Sequence, residues 1–78
     1  MPVVLLFAQA REAAGSGSVR VDGSTVQEVV DRLGERFGPA MVEVISASRI
    51  WANGEPAESA QLVSEDDEVA VLPPVSGG

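Results

Sequence analysis

The sequence predicts an α+β fold, in which one main helix packs across a mixed five-stranded sheet. Three observations indicate this fold: apolar runs at residues 3–8 and 69–72, one amphipathic helical segment after residue 24, and a hairpin signal at Asn53-Gly54. Because the two runs are the most apolar strand candidates, we expect them to be parallel neighbours at the centre of the sheet. The chain has 78 residues, which is enough for one domain with one core.

The first predicted elements are two strands joined by a loop. Residues 3–8 are continuously apolar and partly β-branched, a pattern typical of a strand covered on both faces. Residues 11–18 are polar and rich in Gly and Ser, so we interpret them as a loop. Residues 19–22 alternate with period two, which predicts a half-exposed strand paired with the first as a hairpin.

The main helix is predicted from a cap and an apolar stripe. Ser24 and Gln27 have the spacing of a capping box, so the helix should begin at Thr25. Gly38-Pro39 should end it. The apolar residues recur at helical spacing and form one stripe that can lie across the sheet. This stripe consists of Val26, Val29, Val30, Leu33 and Phe37.

The second half of the chain is predicted to complete the sheet. Residues 41–45 fit a helix or a strand, and we favour a short helix. Arg49–Ala52 should be a strand that enters a type I′ turn at Asn53-Gly54, and Pro56 limits the return strand to a short edge segment. We interpret Trp51 as a core residue with one polar group, and an exposed partner anchor is the alternative.

The acidic run at residues 65–68 precedes the last predicted strand. Its spacing lacks the alternating ligands and the closing Glu of a calcium loop, so no metal site is predicted there. A solvated turn is the favoured interpretation, and a docking patch for basic side chains is the alternative.

The composition excludes several classes of function. The chain has no cysteine, histidine, lysine or tyrosine, and its five basic residues are all arginine, so autonomous catalysis is not expected. The net charge of −7 disfavours nucleic acid and anionic membranes and favours a basic protein partner. Because no cysteine, signal peptide or membrane span is apparent, we expect a cytoplasmic protein.

The last residues, 73–78, are predicted to form a flexible tail outside a folded domain of residues 1–72. Pro73 and Pro74 have fixed φ angles and no backbone N–H, so they should end the sheet and continue as a stiff, extended segment. Gly77 and Gly78 have no Cβ atoms, which suits a backbone that enters a narrow channel in a partner. The alternative is a frayed terminus without a function.

The opening and closing motifs resemble those of the ubiquitin-like sulfur carriers, which have the β-grasp fold. Residues 6–15, Leu-Phe-Ala-Gln-Ala-Arg-Glu-Ala-Ala-Gly, are similar to the opening motif of that family. Residues 67–78, which end in Pro-Pro-Val-Ser-Gly-Gly, are similar to its closing motif. The resemblance covers the whole chain and is strongest to the small subunits of molybdopterin synthase.

This resemblance implies a subunit that is not catalytic by itself and carries sulfur on Gly78. An E1-like activating enzyme uses ATP to adenylate the Gly78 carboxylate, and a sulfur donor protein then converts it to a thiocarboxylate. The thiocarboxylate donates sulfur to cyclic pyranopterin monophosphate in the large subunit, during molybdenum cofactor biosynthesis. The family has no stably bound cofactor, and by analogy the assembly is a heterotetramer.

The resemblance also implies roles for the residues around the terminus. Arg11 and Leu72 would contact the activating enzyme and the large subunit. The residues that would enter the pocket of the large subunit are Pro73, Pro74, Val75, Ser76 and Gly77.

Three alternatives stay open at this stage. The chain could carry sulfur for thiamine or cysteine synthesis, although the Pro-Pro-Val-Ser-Gly-Gly ending favours molybdopterin. It could be a protein modifier that is joined through Gly78 to lysines of its targets. It could also be a binding module with an inert tail.

Overall fold

A computed structural model describes residues 1–74 of the chain, and three helices and five strands are found in this part. None of the helices in residues 1–74 combines the length and hydropathy of a transmembrane span. The elements, in chain order, are β1 (Val3–Leu6), α1 (Ala8–Ala14), β2 (Ser18–Arg20), α2 (Val26–Phe37), α3 (Pro39–Ala47), β3 (Arg49–Ala52), β4 (Glu55–Pro56) and β5 (Glu68–Leu72).

The five strands form one mixed sheet in the order β2-β1-β5-β3-β4. β1 and β5 are parallel, with Val4 opposite Val69 and Leu6 opposite Val71, whereas the other neighbouring strands are antiparallel. The predicted α+β fold and its parallel central pair are therefore confirmed.

The core lies on one face of this sheet, under the three helices. Alternate side chains of the two central strands point to this face and are at most 1% exposed. The helices contribute small or branched side chains that fill the space above them. The members of the core from the central strands and the helices are Val4, Leu6, Val69 and Val71, with Ala10, Val26, Val29, Leu33 and Met41.

The other face of β1 corrects one expectation. The apolar run at its position predicted a strand covered on both faces, yet Val3 and Leu5 are only half-buried. The strand also ends at Leu6 rather than at Ala8. The three helices contribute to the core on the opposite face. Within residues 1–74, β1 therefore contributes only Val4 and Leu6 to the core, and its other two apolar side chains are partly exposed.

A helix replaces the first half of the loop that was predicted at residues 11–18. α1 begins after Phe7, and Gly15 ends it in the left-handed region at φ 74°, where its N–H donates to the Arg11 carbonyl at 2.9 Å. The prediction was wrong because the Gly and Ser residues at 15–18 outweighed four alanines, which strongly favour a helix. The following strand, β2, begins at Ser18 and ends at Arg20, rather than covering residues 19–22.

The cap of α2 lies one residue later than predicted. The Thr25 hydroxyl, not that of Ser24, accepts from the Glu28 N–H at 3.1 Å. The Glu28 carboxylate accepts from the Ser24 N–H at 3.1 Å, which is the role predicted for Gln27. The predicted stripe is confirmed, since Val26, Val29 and Leu33 are buried and Val30 and Phe37 pack partly against the core.

The predicted end of α2 and the predicted hairpin are both confirmed. Gly38 separates α2 from α3 with φ 89° and ψ −168°, a conformation open mainly to glycine, and Pro39 is the first residue of α3. Asn53 and Gly54 have φ angles of 51° and 82°, as a type I′ turn requires. The short helix expected at residues 41–45 is longer, because α3 covers Pro39–Ala47.

Candidate functional site at the end of the central strand

The central strand β5 carries the chain to the site that the sequence singled out. β5 lies between β1 and β3, and its last residue, Leu72, is paired with Arg49. Pro73 follows half-buried and Pro74 is exposed. The division into residues 1–72 and 73–78 stays a prediction. The predicted site residues Val75, Ser76, Gly77 and Gly78 lie outside the described residues.

Side chains fix β5 at its opposite end. The Asp67 carboxylate accepts from the Asn53 side-chain amide at 3.0 Å and from the Ser64 backbone N–H at 2.7 Å. The Asn53 carbonyl oxygen accepts from the Glu68 N–H at 3.0 Å, and the Asn53 N–H donates to the Glu68 carbonyl at 2.8 Å. The hairpin turn and the start of β5 are thus joined, which fixes the register of the strand that leads to the tail.

This network also changes the acidity of Asp67. The hydrogen bond from the Ser64 backbone N–H, followed by that from the Asn53 side chain, lowers the pKa of Asp67 below its ordinary value of 3.8. Both bonds favour the ionised carboxylate over the protonated one. The network is therefore complete at neutral pH and weakens when Asp67 is protonated.

The face of the sheet opposite the helices is apolar at its centre. Its middle consists of half-buried side chains from the three central strands, and exposed Arg20, Arg49 and Glu68 lie among them by strand alternation. Trp51 belongs to this face and not to the core, which corrects its predicted position. We call the central residues the open sheet face: Val3, Leu5, Trp51, Ala70 and Leu72.

Two predicted site residues lie at the end of the sheet where β5 finishes. Leu72 closes the open sheet face there. Arg11 is exposed on α1, and its guanidinium lies beside Gly17, since a Cβ atom at Gly17 would be 3.5 Å from Arg11 Cζ. The Gly17 carbonyl accepts from the Leu6 N–H at 2.9 Å, which places Arg11 on the β2 side of the same end.

Two neighbours of this end were not singled out as site residues from the sequence. Phe7 is 46% exposed and has an extended backbone, so it continues the alternation of β1 on the side of Leu5. Arg49 is exposed and is paired with Leu72 on the β3 side. Arg49 could not be identified from the sequence, because only the pairing of β3 with β5 brings it next to Leu72 at the end of β5.

The arrangement at this end suits recognition rather than catalysis by a side chain. Phe7 and Leu72 are the apolar residues at the end of the sheet where β5 finishes, with Arg11 on the β2 side and Arg49 on the β3 side. The chain has no cysteine, histidine, lysine or tyrosine that could supply a nucleophile or a base. Within residues 1–74, no group of three or more acidic side chains is placed to hold a metal ion.

Comparison of nearly the whole sequence with protein-family models identifies the family. A model of the ThiS family matches residues 4–78. The chain belongs to the ThiS family. It is therefore a member of the ubiquitin-like sulfur carriers, as its opening and closing motifs predicted.

This ThiS-family chain is similar to two curated relatives and to one solved structure over nearly its whole length. It is 40% identical to the molybdopterin synthase sulfur carrier subunit of Arabidopsis thaliana, over 96% of this chain and 80% of the relative. It is 37% identical to small archaeal modifier protein 1 of Haloferax volcanii, over 94% of this chain and 95% of the relative. The crystal structure of the Haloferax protein superposes with a TM-score of 0.84 and covers 97% of both chains at 36% identity. The β-grasp fold is thus confirmed, and the plant relative is a small carrier subunit, in agreement with a non-catalytic role.

Proposed function

We propose that this chain is the sulfur-carrier subunit of molybdopterin synthase and that Gly78 carries the sulfur. The observation that supports this choice most strongly is its 40% identity to the plant sulfur carrier subunit of that enzyme. The geometry of the site is compatible with it, because Arg49 is paired with Leu72 at the end of β5 and the chain has no cysteine, histidine, lysine or tyrosine that could act there.

The proposed chemistry takes place at the Gly78 carboxylate. A carboxylate is a poor electrophile, so an activating enzyme first transfers AMP from ATP to it and releases pyrophosphate. The terminal sulfur of a persulfide on the donor protein then displaces AMP and forms an acyl disulfide, and a thiol reductant cleaves the S–S bond to leave a thiocarboxylate. In the large subunit this sulfur attacks a carbon of cyclic pyranopterin monophosphate, and hydrolysis of the resulting thioester leaves the sulfur on the pyranopterin and returns the carboxylate of Gly78. Two loaded chains supply the two sulfur atoms of one dithiolene. In this scheme the chain supplies position, and its partners supply catalysis.

The open sheet face has the role of docking surface in this proposal. Trp51 and Leu72 would pack against an apolar patch of the large subunit, and of the activating enzyme in turn. Arg11 and Arg49 would pair with acidic groups at the edge of these patches. Tryptophan and arginine are the residue types that most often dominate the binding energy of protein interfaces. Pro73 and Pro74 would then direct Val75, Ser76, Gly77 and Gly78 into the pocket of the partner.

A second candidate function is protein modification. The Haloferax relative is named a modifier protein, and it is 37% identical to this chain. Conjugation would use the same adenylated Gly78, with a lysine amine of a target protein in place of the sulfur donor. A carrier for thiamine or cysteine synthesis would also form a thiocarboxylate at Gly78, but would hand its sulfur to a different acceptor.

The intact mass of the purified chain separates a sulfur carrier from a protein modifier and from a chain with an inert tail. The chain is incubated with ATP, an activating enzyme of this family and a sulfur donor, and the same mixture without ATP is the control. We expect a mass increase equal to the replacement of one oxygen by sulfur, confined to a C-terminal fragment. Conjugates with other proteins would support the modifier instead, and an unchanged mass would support an inert tail.

A second step identifies the acceptor. The loaded chain is mixed with the large subunit of molybdopterin synthase and cyclic pyranopterin monophosphate. We expect the mass to return to that of the carboxylate form as the dithiolene product appears. A loaded chain that keeps its sulfur in this mixture would contradict the molybdopterin assignment while leaving the carrier chemistry intact.

A further inference from the structure

A groove lies between α2 and α3, on the helical side of the sheet. The two helices are separated by Gly38 alone, so they diverge from a sharp corner. The space between them is about 890 Å³ and is open to solvent. We call it the helical groove. Its apolar surface is formed by Val30, Pro39, Val42 and Ile45.

Val42 is an apolar residue of the helical groove that remains largely exposed. Its side chain is 54% exposed. It lies close to α2, since a Cβ atom at Gly34 would be 2.9 Å from a Val42 methyl group. The glycine therefore lets the helices approach closely while the valine remains accessible within the groove.

The rim of the helical groove is acidic. Asp31 and Glu35 on α2 and Glu43 on α3 line it and are exposed. Within residues 1–74, neither of the ion pairs includes any of the three. Asp31 accepts a hydrogen bond from the Gln27 side-chain amide at 2.7 Å, which leaves its negative charge unbalanced.

The arginines of α2 lie on its other flank. Arg32 pairs with Asp22 at 3.5 Å, and the Arg36 guanidinium donates to the Arg20 carbonyl at 3.1 Å. The charges of this helix are thus separated, with Arg32 and Arg36 held by the chain itself and Asp31 and Glu35 facing the groove. The anionic rim is available to a cation from another molecule.

We propose that the helical groove binds a cationic amphipathic helix of a partner protein. Apolar side chains at i, i+3, i+4 and i+7 of that helix would pack on Val30, Val42 and Ile45, and its lysines or arginines would pair with the rim. A second copy of this chain fits less well, because its net charge is −7 and the three arginines nearest α2 make internal contacts. Residues 75–78 contain no cationic side chain, so they do not match the rim either.

This surface is separate from the one that the proposed function uses. The helical groove is on the side of the helices, whereas the open sheet face is on the opposite side of the sheet. A partner bound in the groove would therefore leave the end of β5 free. The carrier could be held there while its terminus is loaded or discharged.

A model peptide tests the proposal on the full chain. The probe is a fluorescent 18-residue helix of leucine and lysine, with leucine at the spacing given above, and its affinity is measured by fluorescence anisotropy at 0.15 M salt. We expect D31N/E35Q/E43Q to weaken binding about tenfold, as the loss of three exposed ion pairs implies. The control E55Q/E58Q/D66N removes the same charge away from the groove and should change binding less than about threefold.

A second pair of variants tests the apolar contact. V42S should weaken binding several-fold, whereas L62S, at an even more exposed leucine outside the groove, should leave it unchanged. Amide shifts on titration should concentrate in α2 and α3. Deletion of Gly77 and Gly78 should leave peptide binding unchanged, which separates this test from that of the carrier function.

Three results would overturn the proposal. Equal losses in the two charge variants would show attraction by net charge alone. Amide shifts centred on the open sheet face would place the peptide elsewhere. Self-association of the chain in sedimentation, abolished by V42S, would make a second copy the occupant.

Discussion

The two faces of the sheet are both apolar, but only one of them is covered. On the helical side, Val4, Leu6, Val69 and Val71 are at most 1% exposed. On the other side, their sequence neighbours Val3, Leu5, Ala70 and Leu72 are only half-buried. Alternate side chains of the same two strands are thus buried under the helices on one face and partly exposed to solvent on the other.

The fold of the isolated chain depends mainly on the apolar residues of the covered face. Residues of the covered face stabilise the isolated chain, because helices exclude water from them. Residues of the open sheet face add less to the stability of the isolated chain, because they remain half-exposed. In the proposed function this face is the docking surface. Substitutions on the two faces should therefore have different effects on stability and on binding.

The largest effect is expected from a change on the covered face. Leu6→Ala should lower the free energy of unfolding by about 2 to 5 kcal/mol, because it leaves a cavity beneath the helices. Leu5→Ala, at the adjacent position on the open sheet face, should cost about 1 kcal/mol or less. Urea unfolding monitored by circular dichroism measures both. Equal losses would mean that the two faces do not differ as described.

The next effect is expected in binding rather than in stability. Trp51→Ala should weaken association with the large subunit roughly 10- to 100-fold, since a tryptophan at the centre of an interface is a common hot spot. Isothermal titration calorimetry measures it, with Val42→Ala on the helical side as the control. Unchanged affinity in the Trp51 variant, with the protein still folded, would remove the open sheet face from the proposed interface.

A smaller effect concerns the helix that covers the core. Thr25→Ala removes the acceptor for the Glu28 N–H and should cost about 1 kcal/mol of stability. Ser24→Ala should have little effect, because Ser24 contributes its backbone N–H to the cap. Thermal unfolding of the two variants compares them directly. A larger loss of stability in the Ser24 variant than in the Thr25 variant would indicate that Ser24 caps the helix, as the sequence predicted.

The smallest effect is a change in pH dependence at the start of β5. The pKa of Asp67 is lowered by its hydrogen bonds, so its stabilising effect is complete above the ordinary pKa of 3.8 and is lost as pH falls through the lower, folded value. Asp67→Asn should therefore unfold more easily than the parent chain at neutral pH, and the gap should narrow as pH falls below 3.8. Urea midpoints across this range measure the gap. A gap that stays constant would mean that ionisation of Asp67 does not stabilise the strand.

Two features that depend on local sequence were predicted correctly. The stripe of α2 and the Asn53-Gly54 turn depend on local spacing and local φ angles, so the chain itself specifies them. The parallel pairing of β1 with β5 was also predicted, because the two runs have matching apolar character.

The errors arose where tertiary structure, and not local sequence, decides which side chains are covered. A continuous apolar run cannot distinguish a strand covered on both faces from one that helices cover on one face only. For the same reason Trp51 was assigned to the core. Arg49 was missed because strand pairing, and not its sequence position, brings it to Leu72. The helix α1 was missed because the glycines that end it were taken as evidence of a loop.

The central claim is that the folded body only docks and that the sulfur travels on the carboxyl group of Gly78. The most direct test uses a semisynthetic chain in which this carboxylate is a primary amide, in a reconstituted mixture of activating enzyme, ATP, sulfur donor, large subunit and cyclic pyranopterin monophosphate. We expect the amide chain to bind the large subunit, to take up no sulfur and to yield no dithiolene product. Product formed at the rate of the unmodified chain would contradict it.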